Sequence, residues 1–142
     1  DCVPLIRRVA REYRRTAPVT RIETRLPDSM EVRANSDLRF AVDNLVDNAI
    51  EHNPAADPRV RIRVSEADAT GWMDMHVDDN GPRIPAKDRD VVTGDAEITP
   101  TQHGSGLGLW LVKWTIETFG GELSFGTSDF GGNSVRVRLP RR

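Results

Sequence analysis

Residues 104–109 read Gly104-Ser105-Gly106-Leu107-Gly108-Leu109, with glycine at alternate positions, and lead straight into an apolar run with helical spacing over 107–119. A dinucleotide fingerprint would place its last glycine one residue later and follow a strand, whereas 99–103 has no strand pattern. A phosphate loop would close on Gly-Lys followed by Ser or Thr, and no such triplet follows a glycine-rich stretch here. What remains is a turn that opens a helix. Its unpaired backbone N–H groups and the helix dipole favour an anion by roughly 0.3–1 kcal/mol, or about 2 in a sheltered geometry. A plain loop-to-helix turn is the alternative, although glycine is a costly choice for one.

Upstream of this turn, Met73, Met75 and Val77 alternate with polar residues and end in Asp79-Asn80-Gly81. Asp79 has the parity of the apolar positions, so its carboxylate is expected on the core side of the sheet. A carboxylate there must find donors, because an unpaired buried charge costs several kcal/mol. The exocyclic amino group of adenine is one such donor, and Gly81 would let a flat ring approach the backbone. An Asp that merely caps the turn into Asn80-Gly81 is the other reading.

Further upstream, Leu38, Ala41, Val42, Leu45 and Ala49 form the apolar face of a helix expected over 36–51, and Asn44, Asn48 and Glu51 line one edge of it. Mid-helix asparagines cost about 0.5 kcal/mol each against better helix formers, which invites a functional reason. A carboxamide ladder bonding solvent or a neighbouring loop would also produce the spacing.

Around these three stretches the chain reads as follows. A helix starts near Asp1, a possible N-cap, carries Leu5, Ile6, Val9 and Tyr13, ends near Arg15 and is broken by Pro18. Strands are expected over 19–26 and 30–32, with Pro27-Asp28 between them, and Asn35 or Ser36 can cap the Asn44 helix. Val60, Ile62 and Val64 alternate with Arg59, Arg61 and Arg63, and Val135, Val137 and Leu139 with Arg136 and Arg138, the pattern of strands with one buried and one wet face. Between Pro85 and His103 about 18 residues lack periodicity, a length typical of a functional lid. Gly120-Gly121 closes the last helix. The order predicts one α+β domain over 1–142, a two-layer sandwich with helices on one face of a mostly antiparallel sheet.

At 142 residues with a net charge of −2, the chain is large enough for one core and too balanced for a general nucleic-acid binder. The single cysteine, Cys2, rules out an internal disulfide and suits a reducing compartment. No stretch reaches the ~20 apolar residues of a membrane span. Because residue 1 is Asp and helical patterning begins at once, the sequence reads as a piece of a longer chain with a cytoplasmic location, whose parent is either membrane-anchored or soluble.

Taken together, Asn44-Leu45-Val46-Asp47-Asn48-Ala49 resembles the N box, Asp79-Asn80-Gly81-Pro82 the G1 box and 104–109 the G2 box of sensor histidine kinases. The chain resembles their catalytic and ATP-binding domain over nearly its whole length, within the wider superfamily of gyrase, chaperone and mismatch-repair ATPases. The resemblance implies the Bergerat (GHKL) fold, ATP or ADP as ligand and Mg²⁺ as cofactor. It implies Asn48 as metal ligand and Asn44 beside the phosphates, these two being the catalytic candidates. It further implies Asp79 on the adenine amino group, Gly81 and Ile84 along the base, and Gly104, Ser105, Gly106, Leu107, Gly108 and Leu109 around the phosphates under the lid. Relatives that mainly hydrolyse ATP carry a glutamate base where this chain has Asn44, so phosphoryl transfer to a protein histidine is expected instead. Departures from the pattern are Arg83 at the second G1 glycine, Glu51 where the family commonly has a basic residue, and no phenylalanine in the lid.

In that family the phosphoacceptor histidine sits in a separate dimerising hairpin and is followed by an acidic residue. His52, His76 and His103 precede Asn, Val and Gly, so this piece is not expected to phosphorylate itself. His52 and His103 are candidate nucleotide contacts, while His76 reads as structural. Implied partners are the hairpin of a homodimeric parent and, through the full kinase, a response regulator, with no nucleic acid. Trp110 and Trp114 mark either a docking surface or packing under the lid or the first helix. The arginines of the sheet read as a solvated basic face. A serine kinase of the anti-sigma type and a degenerate nucleotide sensor without transfer are the alternative functions.

Overall fold

The computed structural model describes residues 1–51, 53, 55–82 and 105–142, with the backbone alone for 105–107. The element order is α1 (Val3–Thr16), β1 (Arg21–Arg25), α2 (Leu38–Glu51), β2 (Arg59–Glu66), β3 (Trp72–Asp79), α3 (Ser105–Thr118), β4 (Glu122–Thr127) and β5 (Asn133–Pro140). The strands form a five-stranded sheet in the order β1-β2-β3-β5-β4. Only β1 and β2 run parallel, as a pair joined through a crossover helix must; the other described pairings are antiparallel.

Alternation in the sequence sets which face packs. Val60, Ile62, Val64, Met73, Met75, Val77, Val135, Val137 and Leu139 all turn to one face and are at most 6% exposed. Against them lie Val3, Ile6 and Val9 of α1, Ala41, Val42, Leu45 and Val46 of α2, and Leu109, Val112 and Ile116 of α3. The helices therefore share one apolar layer with the sheet, as the binary pattern predicts.

The element boundaries follow local chemistry. Asp1 Oδ1 accepts from the N–H groups of Val3 (2.9 Å) and Met30 (3.0 Å), so it tethers the start of α1 to the chain that passes beneath it. Asn35 Oδ1 accepts from Asp37 N–H at 2.8 Å ahead of α2. Gly120, with φ 80°, ends α3: its N–H donates to Glu117 O and that of Gly121 to Ile116 O, the paired bonds of a Schellman cap. Two expected strands are smaller than their patterns suggest. The 19–26 stretch pairs only over Arg21–Arg25, with Val19 77% exposed, and 30–32 supplies a single bridge from Val32 to Arg141.

The outer face of the sheet corrects the expectation of a solvated basic surface. Arg61 is 4% exposed and Asp78, opposite it in the β2–β3 register, is 0% exposed. Asp78 Oδ2 accepts from Arg61 Nε and an Arg61 terminal nitrogen (3.1 and 2.9 Å) and from Arg63 Nε (2.8 Å), and its Oδ1 accepts from Ser134 Oγ (2.5 Å). Arg138 pairs with Asp74 and Arg59 with Glu23, while Phe130 lies under the Arg59 and Arg61 guanidiniums at 4.0 and 4.7 Å. The face is charge-paired and partly roofed, so the alternating arginines are ion-pair partners as much as solvated groups.

Candidate functional site

β3 carries its last residue, Asp79, to the end of the core face, where its parity with Met73, Met75 and Val77 buries it to 6% exposure. The carboxylate is held by a ring of amide donors. Oδ1 accepts from the N–H groups of Gly81 (3.0 Å) and Asn133 (3.1 Å), and the Asn133 side-chain amide reaches both Oδ1 and Oδ2 at 3.3 Å. Asp79 thus faces inward, as its parity predicts, and caps the turn into Asn80-Gly81. Among the described residues every donor to it is neutral. Burial pushes its pKa above the usual carboxylate value, and the hydrogen bonds from Asn133 and Gly81 offset only part of that.

The backbone around Asp79 is fixed from two sides. From the β4–β5 turn, Ser128 Oγ donates to Asp79 O at 2.5 Å, and the Asn133 amide also donates to Pro82 O at 2.8 Å. A Cβ on Gly132 would overlap both the carbonyl and the carboxylate of Asp79, so only glycine lets the turn approach this closely. From the α2 side, Asn53 Nδ2 donates to Asn80 Oδ1 at 2.7 Å, which also accepts from Arg59 N–H, while Asn80 Nδ2 donates to Asp57 O. Gly81 lies flat against Asn53, whose Cγ would be 3.1 Å from an added Cβ. These contacts join the end of α2 to the end of β3.

α2 packs on both β3 and α3. Asn44 and Asn48 are half-buried along one edge of it, next to the buried Leu45, Val46 and Ala49. Asn44 Nδ2 donates back to Phe40 O at 2.8 Å, which fixes that amide group locally. The glycine-rich turn delivers a helix N-terminus: α3 begins at Ser105, two residues earlier than the apolar periodicity indicates, so Ser105, Gly106, Leu107 and Gly108 are its first turn. The N–H groups of Ser105, Gly106 and Leu107 have no partner within the helix. Leu109 is 2% exposed and belongs to the core, so any part it plays at the turn is through its backbone. Of the remaining sequence candidates, His52, Ile84, His103 and Gly104 lie outside the described residues, as do Arg83 and the 85–103 stretch.

Three participants were missed by sequence reasoning. Asn133, Ser128 and Gly132 hold Asp79 from a turn remote in sequence, and nothing in their spacing marks them. Asn53 reads only as a helix stop before Pro54. His76 is half-buried with an unpaired Nδ1, and burial, reinforced by Arg63, pulls its pKa below the usual histidine value, which agrees with a structural role. Trp114 is 58% exposed on α3 and Trp110 half-buried.

A sequence profile of the family described as "Histidine kinase-, DNA gyrase B-, and HSP90-like ATPase" matches residues 34–142. The "Sensor-type histidine kinase PrrB" of Mycobacterium leprae is 33% identical over 142 residues, 98% of this chain but 31% of that protein. Among solved structures, "Mycobacterial sensor histidine kinase MprB" superposes with a TM-score of 0.81 at 28% identity, covering 100% of this chain and 97% of that one. The "ATP binding domain of PrrB from Mycobacterium Tuberculosis" gives 0.78 at 29%, covering 100% and 95%. The α+β sandwich is therefore the Bergerat (GHKL) architecture, and the chain spans about a third of the length of the curated kinases it matches.

Proposed function

Since the chain belongs to the family of histidine kinase-, DNA gyrase B- and HSP90-like ATPases, we propose that it is the catalytic domain of a two-component sensor histidine kinase. In this reading it binds Mg-ATP and passes the γ-phosphoryl group to a histidine on a dimerisation hairpin elsewhere in the parent chain. A response regulator, reached through the full kinase, receives the signal. The observation that carries the reading is Asp79: a buried carboxylate at the end of a strand, supplied among the described residues only with neutral donors. Such a group accepts strongly from a further neutral N–H donor, and the exocyclic amine of adenine is one.

The remaining residues suit a nucleotide laid between α2 and α3. The first turn of α3 offers N–H groups and the positive end of a dipole to phosphate oxygens. The Asn48 carboxamide oxygen is a hard ligand of the type Mg²⁺ accepts singly, with phosphates and water completing its shell. When bound, the metal would neutralise charge on the transferring phosphoryl group. Asn44 has no basic lone pair with which to take a proton from water, which favours transfer over hydrolysis. In the transfer, the bond from the γ-phosphorus to the bridging oxygen breaks and a phosphorus–nitrogen bond forms. ADP leaves with that oxygen, and the imidazole gives up a proton to solvent. Positioning and charge neutralisation supply the catalysis.

The test is to incubate the chain with Mg-ATP and the separately produced histidine-bearing hairpin of its parent. Acid-labile, base-stable phosphate on the hairpin is the expected result. Acid-stable phosphoprotein would indicate a serine kinase, and nucleotide binding without any transfer would indicate a sensor.

A further inference from the structure

Asp78 and Asp79 are adjacent on β3 and face opposite sides of the sheet, and one buried guanidinium touches what holds both. Arg61 donates to Asp78 through two nitrogens and to Asp129 Oδ2 at 3.2 Å, and it stacks on Phe130 at 4.7 Å. Asp129 and Phe130 sit in the β4–β5 turn, whose other residues grip Asp79. Ser128 Oγ donates to Asp79 O and accepts from the N–H groups of Phe130 and Gly132, both at 3.2 Å. Asn133, just past the turn, binds the carboxylate itself. The turn is closed on itself by Gly131 N–H to Ser128 O and Ser128 N–H to Gly132 O, so its residues are tied to one another.

We propose that Arg61 is a positioning residue for base recognition: from the outer face it fixes both Asp78 and the 128–132 turn, and so sets where the Asp79 carboxylate points. The proposal rests on the reading of Asp79 as the adenine contact. It assigns Arg61 a role that its place in an alternating strand pattern does not suggest. A guanidinium suits the task because its planar fork holds two partners at fixed angles while its face lies on an aromatic ring. No alkyl side chain of similar size would hold Asp129 and Phe130 in register with Asp78.

The test is calorimetric titration of the chain with Mg-ADP, Mg-GDP and magnesium tripolyphosphate. Wild type is compared with Asp79→Asn, Arg61→Met and the double variant Asp129→Asn/Phe130→Leu. The double variant leaves the Arg61–Asp78 pair in place and keeps the test open if Arg61→Met fails to fold. Positioning predicts that both Arg61→Met and the double variant bind ADP about tenfold more weakly, which is about 1.4 kcal/mol. It also predicts an eroded preference for ADP over GDP and unchanged tripolyphosphate affinity. A purely structural role would lower the melting temperature and leave the ratio of ADP to tripolyphosphate affinity where it was, overturning the proposal. Equal loss of both ligands would also overturn it. If the folded wild type binds no ADP, or if Asp79→Asn binds it normally, the underlying reading fails and the proposal with it. If Asp79→Asn loses ADP while the folded double variant keeps it, the proposal alone fails.

Discussion

Asp78 and Asp79 share a strand, a covalent bond and almost complete burial, yet their surroundings push them in opposite directions. Burial raises the pKa of each. For Asp78 the hydrogen bonds from Arg63, Ser134 and Arg61 outweigh burial and hold the carboxyl below its usual range. For Asp79 neutral amides do not, and its pKa lies above that range. The outer-face carboxylate is saturated by cations and serves the fold, whereas the core-face carboxylate is oriented without being neutralised. A group held in that second way is available to a ligand, and the contrast separates structural from functional burial better than exposure does.

The contrast is broken most severely at Asp78. Replacing it with Asn leaves the buried Arg61 only the exposed Asp129 as counter-charge and is expected to cost about 3–5 kcal/mol of stability, read from the urea midpoint. A loss below about 1 kcal/mol, the size of an exposed pair, would show that the network does not anchor the sheet. At Asp79 the same change removes a ligand contact instead. Asp79→Asn is expected to keep the fold and to weaken Mg-ADP by about 1.5–3 kcal/mol, the range for hydrogen bonds to charged groups, with tripolyphosphate unaffected. Equal weakening of both ligands would refute the assignment to the base.

The pH dependence sharpens the comparison with smaller effects. The folded pKa values of Asp74 and Asp78 lie below the ordinary 3.8, held down in Asp74 by the Arg138 pair and in Asp78 by donors that override burial. Their stabilisation is present above 3.8 and is lost as pH falls through the lower folded values. Asp79 is protonated in the fold at a pH where the unfolded chain still ionises it, so its protonation favours the fold while removing the acceptor. As pH is lowered, ADP binding is therefore expected to fade before pH 3.8 is reached, with near-ultraviolet circular dichroism intact; simultaneous loss of both would contradict the account. His76, with its pKa lowered from 6.5 by burial, adds a slight loss of stability as pH falls below that value, and His76→Gln should flatten it.

Much of this was legible in advance because period-2 alternation is a strong signal. The inward parity of Asp79, the faces of β2, β3 and β5, and the glycine cap of α3 all follow from local pattern. The expected strand over 30–32 reduced to one bridge because three residues at a sheet margin gain little from pairing. The arginine face was misread because a strand of alternating apolar residues and arginines looks the same whether its cations meet water or buried carboxylates. That distinction depends on Asp78 and Ser134 arriving opposite Arg61 through the β2–β3–β5 register. Asn133, Ser128 and Gly132 escaped notice for a related reason: their work is done on a residue about fifty positions away, and it shows only when the sheet is assembled.

The most direct test of the proposed nucleotide site, with contributions from α2, the end of β3 and the first turn of α3, is calorimetric titration of the folded chain with ADP in the presence and absence of magnesium. The account predicts saturable heat at a single site, strengthened by magnesium and abolished or greatly weakened in Asp79→Asn. A sample with native circular dichroism that releases no heat of association with Mg-ADP would contradict it.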